Sequence, residues 1–373
     1  MDKRIAFITS QFDKSTQWQW FSEELIKRGI EHIHITIKDK KPQIVQDLED
    51  LGVTVYYLQH KNTSSHFFNL MRIVKILRKH KINIVHTELP LGNLLGQTAG
   101  RIAGISKRFT TCENATWAFD YNMAGQKFID GFSYKAAKKV VVLTELSKDF
   151  IVEKFNISPQ KIVTIGHSLK VEEYTGIGSE RVKRLKDQLH IKDGDFIIGM
   201  VARLETWKGH QYAIEAINQI RNEIPQVKLL IFGQKGESYE KTIQLIKALK
   251  LEEIVQFGGL VNDNIALYKC FDIHLHVPIN IMVETFGITI IEGMISEVPQ
   301  ILTKSGVSYF ISNEENAMIV DYCNSTQIAE AIRLLYQQPG KGRTIAAQAK
   351  QDVLEKYSYK TKVEQHLALY DSI

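Results

Sequence analysis

Cysteine is scarce in this 373-residue sequence: Cys112, Cys270 and Cys323 are odd in number and far apart. No paired spacing joins them, which excludes a disulfide framework or a cysteine-based zinc module and fits a reducing cytoplasm. Prolines number only seven, and no low-complexity stretch or fixed-period repeat interrupts the chain. Apolar runs are short. Lys139-Val140-Val141-Val142-Leu143 is strand-length, and Met1-Asp2-Lys3-Arg4 leads straight into a short strand, so neither a membrane span nor a secretion signal is expected. Glycine is missing from Thr9-Ser10-Gln11-Phe12-Asp13-Lys14-Ser15-Thr16. Interleaved aromatic and basic repeats are also missing, which argues against nucleic acid as a partner.

What is present is ordinary globular composition, 44% hydrophobic and 24% charged, in a chain long enough for two domains with a ligand-binding cleft between them. Short β-branched runs alternate with amphipathic stretches, the pattern of a parallel sheet covered by helices on both faces. Strands are expected at Arg4 to Thr9, His32 to Ile37, Val53 to Tyr57, Asn83 to His86, Arg108 to Cys112, Val140 to Leu143 and Lys161 to Ile165. The alternation pauses at Gly166 to Lys192, then restarts with strands at Phe196 to Val201, Val227 to Phe232, Ile254 to Phe257, Ile273 to Val277, Gln300 to Leu302 and Ala317 to Val320. This gives two doubly wound α/β lobes, 1–168 and 193–357, with a hinge at 169–192 and a closing amphipathic helix over 358–373. Charge divides unevenly: residues 1–170 carry 25 Lys+Arg against 16 Asp+Glu, a net +9, and residues 171–373 carry 22 against 26, a net −4. A basic first lobe suits an anionic membrane or an acidic acceptor.

The strongest chemical signal runs from Pro278 to Gly293 and contains Glu284-Thr285-Phe286-Gly287-Ile288 and Glu292. A strand ends in polar residues and a helix opens at Thr285-Phe286-Gly287, so its free N–H groups and positive end form a phosphate seat. Glu284 stands at the mouth of that helix. Glu292, two turns on, reaches a ribose if the nucleoside lies beside the helix; alternatively, both glutamates are solvent residues of an ordinary helix. Arg203 and Lys208, in Val201-Ala202-Arg203-Leu204-Glu205-Thr206-Trp207-Lys208-Gly209, offer a planar fork and a mobile point charge suited to a diphosphate. Gly233, at the end of a third strand, lets backbone approach a ligand closely. Each segment alone could be a plain turn, but all three stand at strand ends of one lobe.

Two other pairs read as structural. Asp193-Gly194-Asp195 precedes a strand in a glycine turn, and His274 with His276 share one face of a strand without a third ligand nearby. No metal site is expected. Phe67 to Lys81 sets Phe67, Met71, Val74 and Leu77 on one face against Arg72, Lys75 and Lys79 on another, the pattern of a helix covering the sheet or lying on anionic lipid.

With these motifs the chain resembles the family 4 glycosyltransferases of GT-B fold, over nearly its whole length and most sharply from Gly199 to Val320. The resemblance implies two Rossmann-like lobes facing a central cleft, with the closing helix crossing back to the first lobe. It implies that Arg203 and Lys208 bind the donor diphosphate, that Glu292 binds the ribose hydroxyls, and that Glu284 lies by the donor sugar. Donor contacts also fall on Thr285, Phe286, Gly287, Ile288 and Gly233. The implied reaction is metal-independent, retaining transfer of a hexosyl or N-acetylhexosaminyl group, without a cofactor. The donor is a UDP-, GDP- or ADP-sugar, UDP favoured. The acceptor is a glycan or lipid-linked sugar in cell-surface polysaccharide synthesis, and the setting is cytoplasmic, at the inner face of the plasma membrane. The chain departs from the family at the glycine-free loop after the first strand and at Ser305-Gly306-Val307, which only partly matches a double-glycine turn. Relatives carry a histidine after a mid-lobe strand; here Glu113 or His86 stands in, and Ser10 and Thr16 are further candidates on the acceptor side. A nucleotide-sugar 2-epimerase of the same fold and a non-catalytic partner subunit are the competing readings.

Overall fold

The computed structural model describes residues 2–120, 122–261, 263–281, 284–305 and 310–373. Met282, Val283, Gly306 and Val307, within two of the motifs above, lie outside them. The chain divides into two compact units, one formed by 1–167 with 359–373 and the other by 168–358.

In the first unit the β-branched runs become seven parallel strands: β1 (Arg4–Ser10), β2 (Glu31–Lys38), β3 (Thr54–Gln59), β4 (Ile84–Glu88), β5 (Lys107–Cys112), β6 (Lys139–Val142) and β7 (Ile162–Thr164). Their order is β3-β2-β1-β4-β5-β6-β7. Helices cover both faces, so β1 and β4 are buried almost throughout and read as continuous apolar or neutral runs rather than alternating ones. Local chemistry sets the helix ends. Ser15 accepts the Trp18 N–H at 3.3 Å to start helix Thr16–Lys27, and Asn156 in the left-handed region, φ 53°, closes helix Glu145–Phe155. Helix Ala124–Ala136 has no counterpart in the sequence reading; two glycines inside it weaken its pattern.

The closing helix, Tyr359–Asp371, packs on helix Thr16–Lys27: Tyr359 meets Trp20 edge-on at 5.4 Å, and His366 meets Phe21 at 5.2 Å. Its last aromatic, Tyr370, is wholly buried with its hydroxyl 2.5 Å from His86 Nδ1. The helix therefore belongs to the core of the first unit.

The second unit has six parallel strands: β8 (Phe196–Val201), β9 (Val227–Phe232), β10 (Val255–Gly259), β11 (Ile273–His276), β12 (Gln300–Leu302) and β13 (Met318–Ile319). Their order, β10-β9-β8-β11-β12-β13, repeats the plan of the first sheet. The stretch expected as a hinge falls inside this unit. Helix Ser179–Gln188 buries Leu185 against Leu267 and Tyr268, and Arg181 grips Asp263 through two bonds of 2.6 Å. The helix is polar except on that narrow face, which makes its sequence look like linker. Among the described residues no helix is long and apolar enough to cross a membrane.

Tyr370→Phe should strand a buried ring nitrogen of His86 and destabilise the chain by about 1–3 kcal/mol. Urea unfolding monitored by tryptophan fluorescence checks this.

Candidate functional site

In each sheet the strand order reverses between the first and fourth strands, so the loops leaving their carboxyl ends turn to opposite sides and open a crevice, where open α/β sheets bind ligands. In the second unit these strands are β8 and β11. The loop after β8 ends in a short turn of 3₁₀ helix, Thr206–Lys208, and then Gly209 at φ 78°. A β-carbon at Gly209 would fall 2.0 Å from the carbonyl oxygen of Val277, just past β11. Only glycine permits both this backbone conformation and this approach, and the result is to hold Lys208 beside the β11 loop.

There the Lys208 ammonium donates to the Glu284 carboxylate, and both side chains are nearly buried. Lys208 also lies 4.2 Å from the centre of the Trp207 ring. The same Glu284 oxygen, Oε2, faces His276 Nε2 at 3.4 Å, and His276 Nδ1 is 3.2 Å from Thr289 Oγ1. Burial alone would raise the Glu284 carboxyl, but the His276 contact and the Lys208 charge outweigh it and bring it down to about 2. Burial lowers His276, partly offset by Glu284. Glu284 is thus a fixed anion between a cation and an imidazole.

The helix that follows is Ile288–Ile295, with Gly287 as its N-cap at φ 73°. It opens later than Thr285, because left-handed Gly287 cannot lie within a right-handed helix. Thr285 and Ile288 are half-buried at its mouth, and Phe286 is a core side chain set edge-on to Tyr357 at 5.7 Å. The Phe286 ring is therefore taken up by the core. Glu292, half-buried, accepts from Tyr174 Oη at 3.2 Å and from Tyr268 Oη at 2.9 Å. Burial raises its carboxyl to about 7 against the lowering effect of the two phenols. Gly233 packs against the carbonyl of Ala202, where a β-carbon would sit 2.2 Å away. Arg203 stays apart from this cluster, 60% exposed and 3.4 Å from Glu205. His276 and the two tyrosines carry no distinguishing sequence signal: His276 looks like its strand neighbour His274, which pairs with Gln300 at 3.0 Å, and Tyr174 lies in the stretch expected as linker. Asp195 accepts the Lys192 N–H at 2.8 Å, closing the expected turn.

In the first unit the reversal lies between β1 and β4, and a cavity of about 230 Å³ opens there. Its polar wall holds Glu88 at the end of β4, Glu113 just past β5, His167 past β7, and Lys362 from the closing helix. Phe12, Trp18 and Tyr359 supply aromatic surface. Glu113 lies 3.3 Å from His167 Nε2 and is hydrogen-bonded to Glu88, which also accepts from Trp18. Burial pushes the Glu88 carboxyl well above the usual range, and Glu113 adds to the rise. Burial would raise Glu113 too, but His167, Glu88 and Lys362 bring it to about 2.

Of the residues expected on this side, Glu113 and His86 line the cavity, but His86 is not free to act. Its Nδ1 is held by Tyr370 at 2.5 Å and its Nε2 by Thr111 at 2.7 Å, and burial lowers it well below an ordinary histidine. It is a core residue. Ser10 is buried and accepts the Gly92 N–H at 3.2 Å, while Thr16 is exposed in the first turn of its helix. Neither lines the cavity; Phe12, Ser15, Gln17 and Trp18 of the same segment do.

Two family models match: Glycosyltransferase Family 4 over residues 18–173, and Glycosyl transferases group 1 over residues 182–352. The chain belongs to the family 4 glycosyltransferases. Among curated relatives of this glycosyltransferase, a protein carrying the name glycosyltransferase EpsD, from Bacillus subtilis (strain 168), is 25% identical over 81% of this chain and 79% of its own length. The capsular polysaccharide biosynthesis glycosyltransferase CapM of Staphylococcus aureus is 24% identical over 94% and 92%. A UDP-Gal:alpha-D-GlcNAc-diphosphoundecaprenol alpha-1,3-galactosyltransferase of Escherichia coli is 25% identical over 68% and 66%. Of solved structures, Anabaena HepE in complex with UDP superposes with a TM-score of 0.85 at 18% identity, over 99% of this chain and 100% of that one. That likeness shows the fold, so the glycosyltransferase is of GT-B class, with two parallel-sheet Rossmann-like domains.

Glu292 gives this glycosyltransferase a measurable pH signature. Its folded value near 7 lies above the ordinary 4.5, so the folded chain holds an extra proton between those values and stability falls as pH rises through the window. Glu292→Gln should remove that penalty, raising stability by about 1–3 kcal/mol at pH 8 and changing little at pH 4.5; paired denaturation curves at the two pH values check it. Gly209→Ala should cost about 2 kcal/mol or more through the clash with Val277. Its Tm should fall even where no ligand is present.

Proposed function

We propose that this glycosyltransferase transfers a hexosyl or N-acetylhexosaminyl group from a nucleotide diphosphate sugar, UDP favoured, with retention and without a metal. The observation that carries the reading is the Lys208–Glu284–His276 cluster at the mouth of helix Ile288–Ile295, on the strand reversal of the second sheet. The bond to be broken joins an anomeric carbon to a diphosphate, so charge grows on the leaving phosphate. Lys208, the helix N–H groups and a repositioned Arg203 supply the compensating positive charge, an effect worth several kcal/mol in sites of this kind. Glu284 stays ionised and orients Lys208 beside the sugar. A phosphate oxygen takes the proton of the acceptor hydroxyl as it attacks on the same face, so no protein nucleophile is needed. Glu292 exchanges its phenol partners for ribose hydroxyls. The UDP in the HepE complex and the UDP-Gal in the name of the E. coli relative support the choice of nucleotide.

The acceptor, a glycan or lipid-linked sugar, is assigned to the cavity of the first unit, which sits at the equivalent reversal of the other sheet. Surface-glycan or glycolipid synthesis at the cytoplasmic face of a membrane fits relatives named for capsular polysaccharide and for diacylglycerol glycosylation. Helix Ser65–Lys79 supports peripheral contact with an anionic bilayer. Phe67 and Met71, expected on its packing face, are 65% and 48% exposed beside exposed Arg72 and Lys75, while Ile73, Val74, Ile76 and Leu77 pack inward.

Calorimetric titration with UDP, GDP and ADP tests the donor assignment. One nucleotide should bind, Glu292→Ala should weaken it at least tenfold, and Lys208→Ala and Arg203→Ala should depress kcat by about 10²–10³. Absence of any nucleotide binding by the native chain removes the reading. Vesicles containing anionic lipid should retain the protein at low salt, and replacing Phe67 and its equally exposed neighbour Phe68, as Phe67→Ser with Phe68→Ser, should release it.

A further inference from the structure

We infer that the cavity of the first unit is a selective seat for one electrically neutral sugar ring, with Glu88, Glu113 and Lys362 as its specificity-determining residues. This rests on the transferase reading only in calling that sugar the terminal residue of the acceptor.

The cavity's place, size and walls point to a single ring. It lies at the carboxyl ends of β1 and β4, where the strand order reverses and loops part. Its volume, about 230 Å³, is below the roughly 300–1,000 Å³ of pockets that take drug-sized ligands. One side is aromatic, with Phe12, Trp18 and Tyr359; the other is a chain of hydrogen-bonding groups. A pyranose has the same duality, an apolar C–H face and an equatorial belt of hydroxyls.

The charges supply the selectivity. Two carboxyl groups hydrogen-bonded to each other must share a proton, so Glu88 and Glu113 together carry one negative charge. Lys362 faces both and donates to Gln17 Oε1 at 3.0 Å. The carboxyl pair and Lys362 thus balance one against one, and the His167 ring, 3.3 Å from Glu113, is tied to the same pair. His86 and His366 add none, because burial and neighbouring cations hold both well below the ordinary histidine range. A sugar carboxylate or phosphate placed here would meet the carboxyl pair, and an ammonium would meet Lys362; either leaves an unmatched charge in a site only partly open to solvent. Hydroxyls suit it in both directions: the carboxyl pair accepts from them or donates its shared proton, and Lys362 donates to their oxygens. Selection arises from the penalty against charged rings as much as from contacts with the neutral one.

The experiment uses the full chain, with saturation-transfer NMR and competition titrations of methyl glucoside, methyl glucuronide and the methyl glycoside of glucosamine, and UDP binding measured in parallel. The neutral glycoside should bind at least tenfold more tightly than either charged one. Glu88→Gln with Glu113→Gln removes the shared negative charge, frees the positive charge of Lys362 and should turn the preference toward the glucuronide. Phe12→Ala, at the aromatic wall and outside the charge network, should weaken the neutral glycoside without changing the order of preference. Retained UDP binding certifies that each variant is folded. A charged glycoside bound as well as the neutral one, an unchanged preference in the folded Glu88→Gln, Glu113→Gln double variant, or UDP binding with no glycoside bound overturns the inference and leaves the transferase reading standing. The expected preference in a chain that binds no nucleotide upholds the inference and removes the donor assignment.

Discussion

Parallel pairing is the constraint on which the rest depends. When every strand of a sheet runs the same way, all carboxyl ends gather on one edge, and a reversal of strand order separates the loops at one point of that edge. Both sheets obey this rule, at β1/β4 and at β8/β11. The polar groups that matter occupy those two points: Glu88 and Glu113 in one unit, Lys208 and Glu284 in the other. The sites are consequences of topology first and of side-chain chemistry second.

The chemistry differs sharply between the two points. In the second unit a lysine and a glutamate are pinned by glycine-dependent backbone, so the cluster is preformed before a ligand arrives. Such preorganisation spares the reaction the work of reorienting charge. In the first unit the loop after β1 has no glycine, and Phe12 and Trp18 line the cavity there. That segment gives the cavity aromatic faces instead.

All thirteen strands among the described residues were legible from the β-branched runs, because strands buried on both faces leave a strong apolar signal regardless of context. The main helices were equally plain. Those that escaped, such as Gln43–Asp50, Ala124–Ala136 and Ser179–Gln188, are short, contain glycine, or bury too narrow a face to show a period. Charged site residues at strand ends could be placed, since position along a strand is local information. Their partners could not. Tyr174 and Tyr268 are 94 residues apart in sequence and meet only at Glu292, and Lys362 reaches Glu113 from the far side of the second unit's sequence. Whether a histidine is active or structural is likewise set by what saturates its ring nitrogens, which is why His86 resembled an acceptor-site residue and is a core one.

The return of helix Tyr359–Asp371 to the first unit bears on how the protein is made. Tyr359, Lys362 and His366 line the cavity of a unit whose sheet is complete by Thr164, so on the ribosome nearly two hundred residues are threaded between the sheet and its last wall. During that interval Phe21 lacks the edge of His366 and Glu113 lacks the charge of Lys362. The nascent first unit carries an apolar and acidic gap that only the finished polypeptide can close. A truncated translation product would expose this gap to chaperones and proteases, and the cavity would gain its last wall in a single late step.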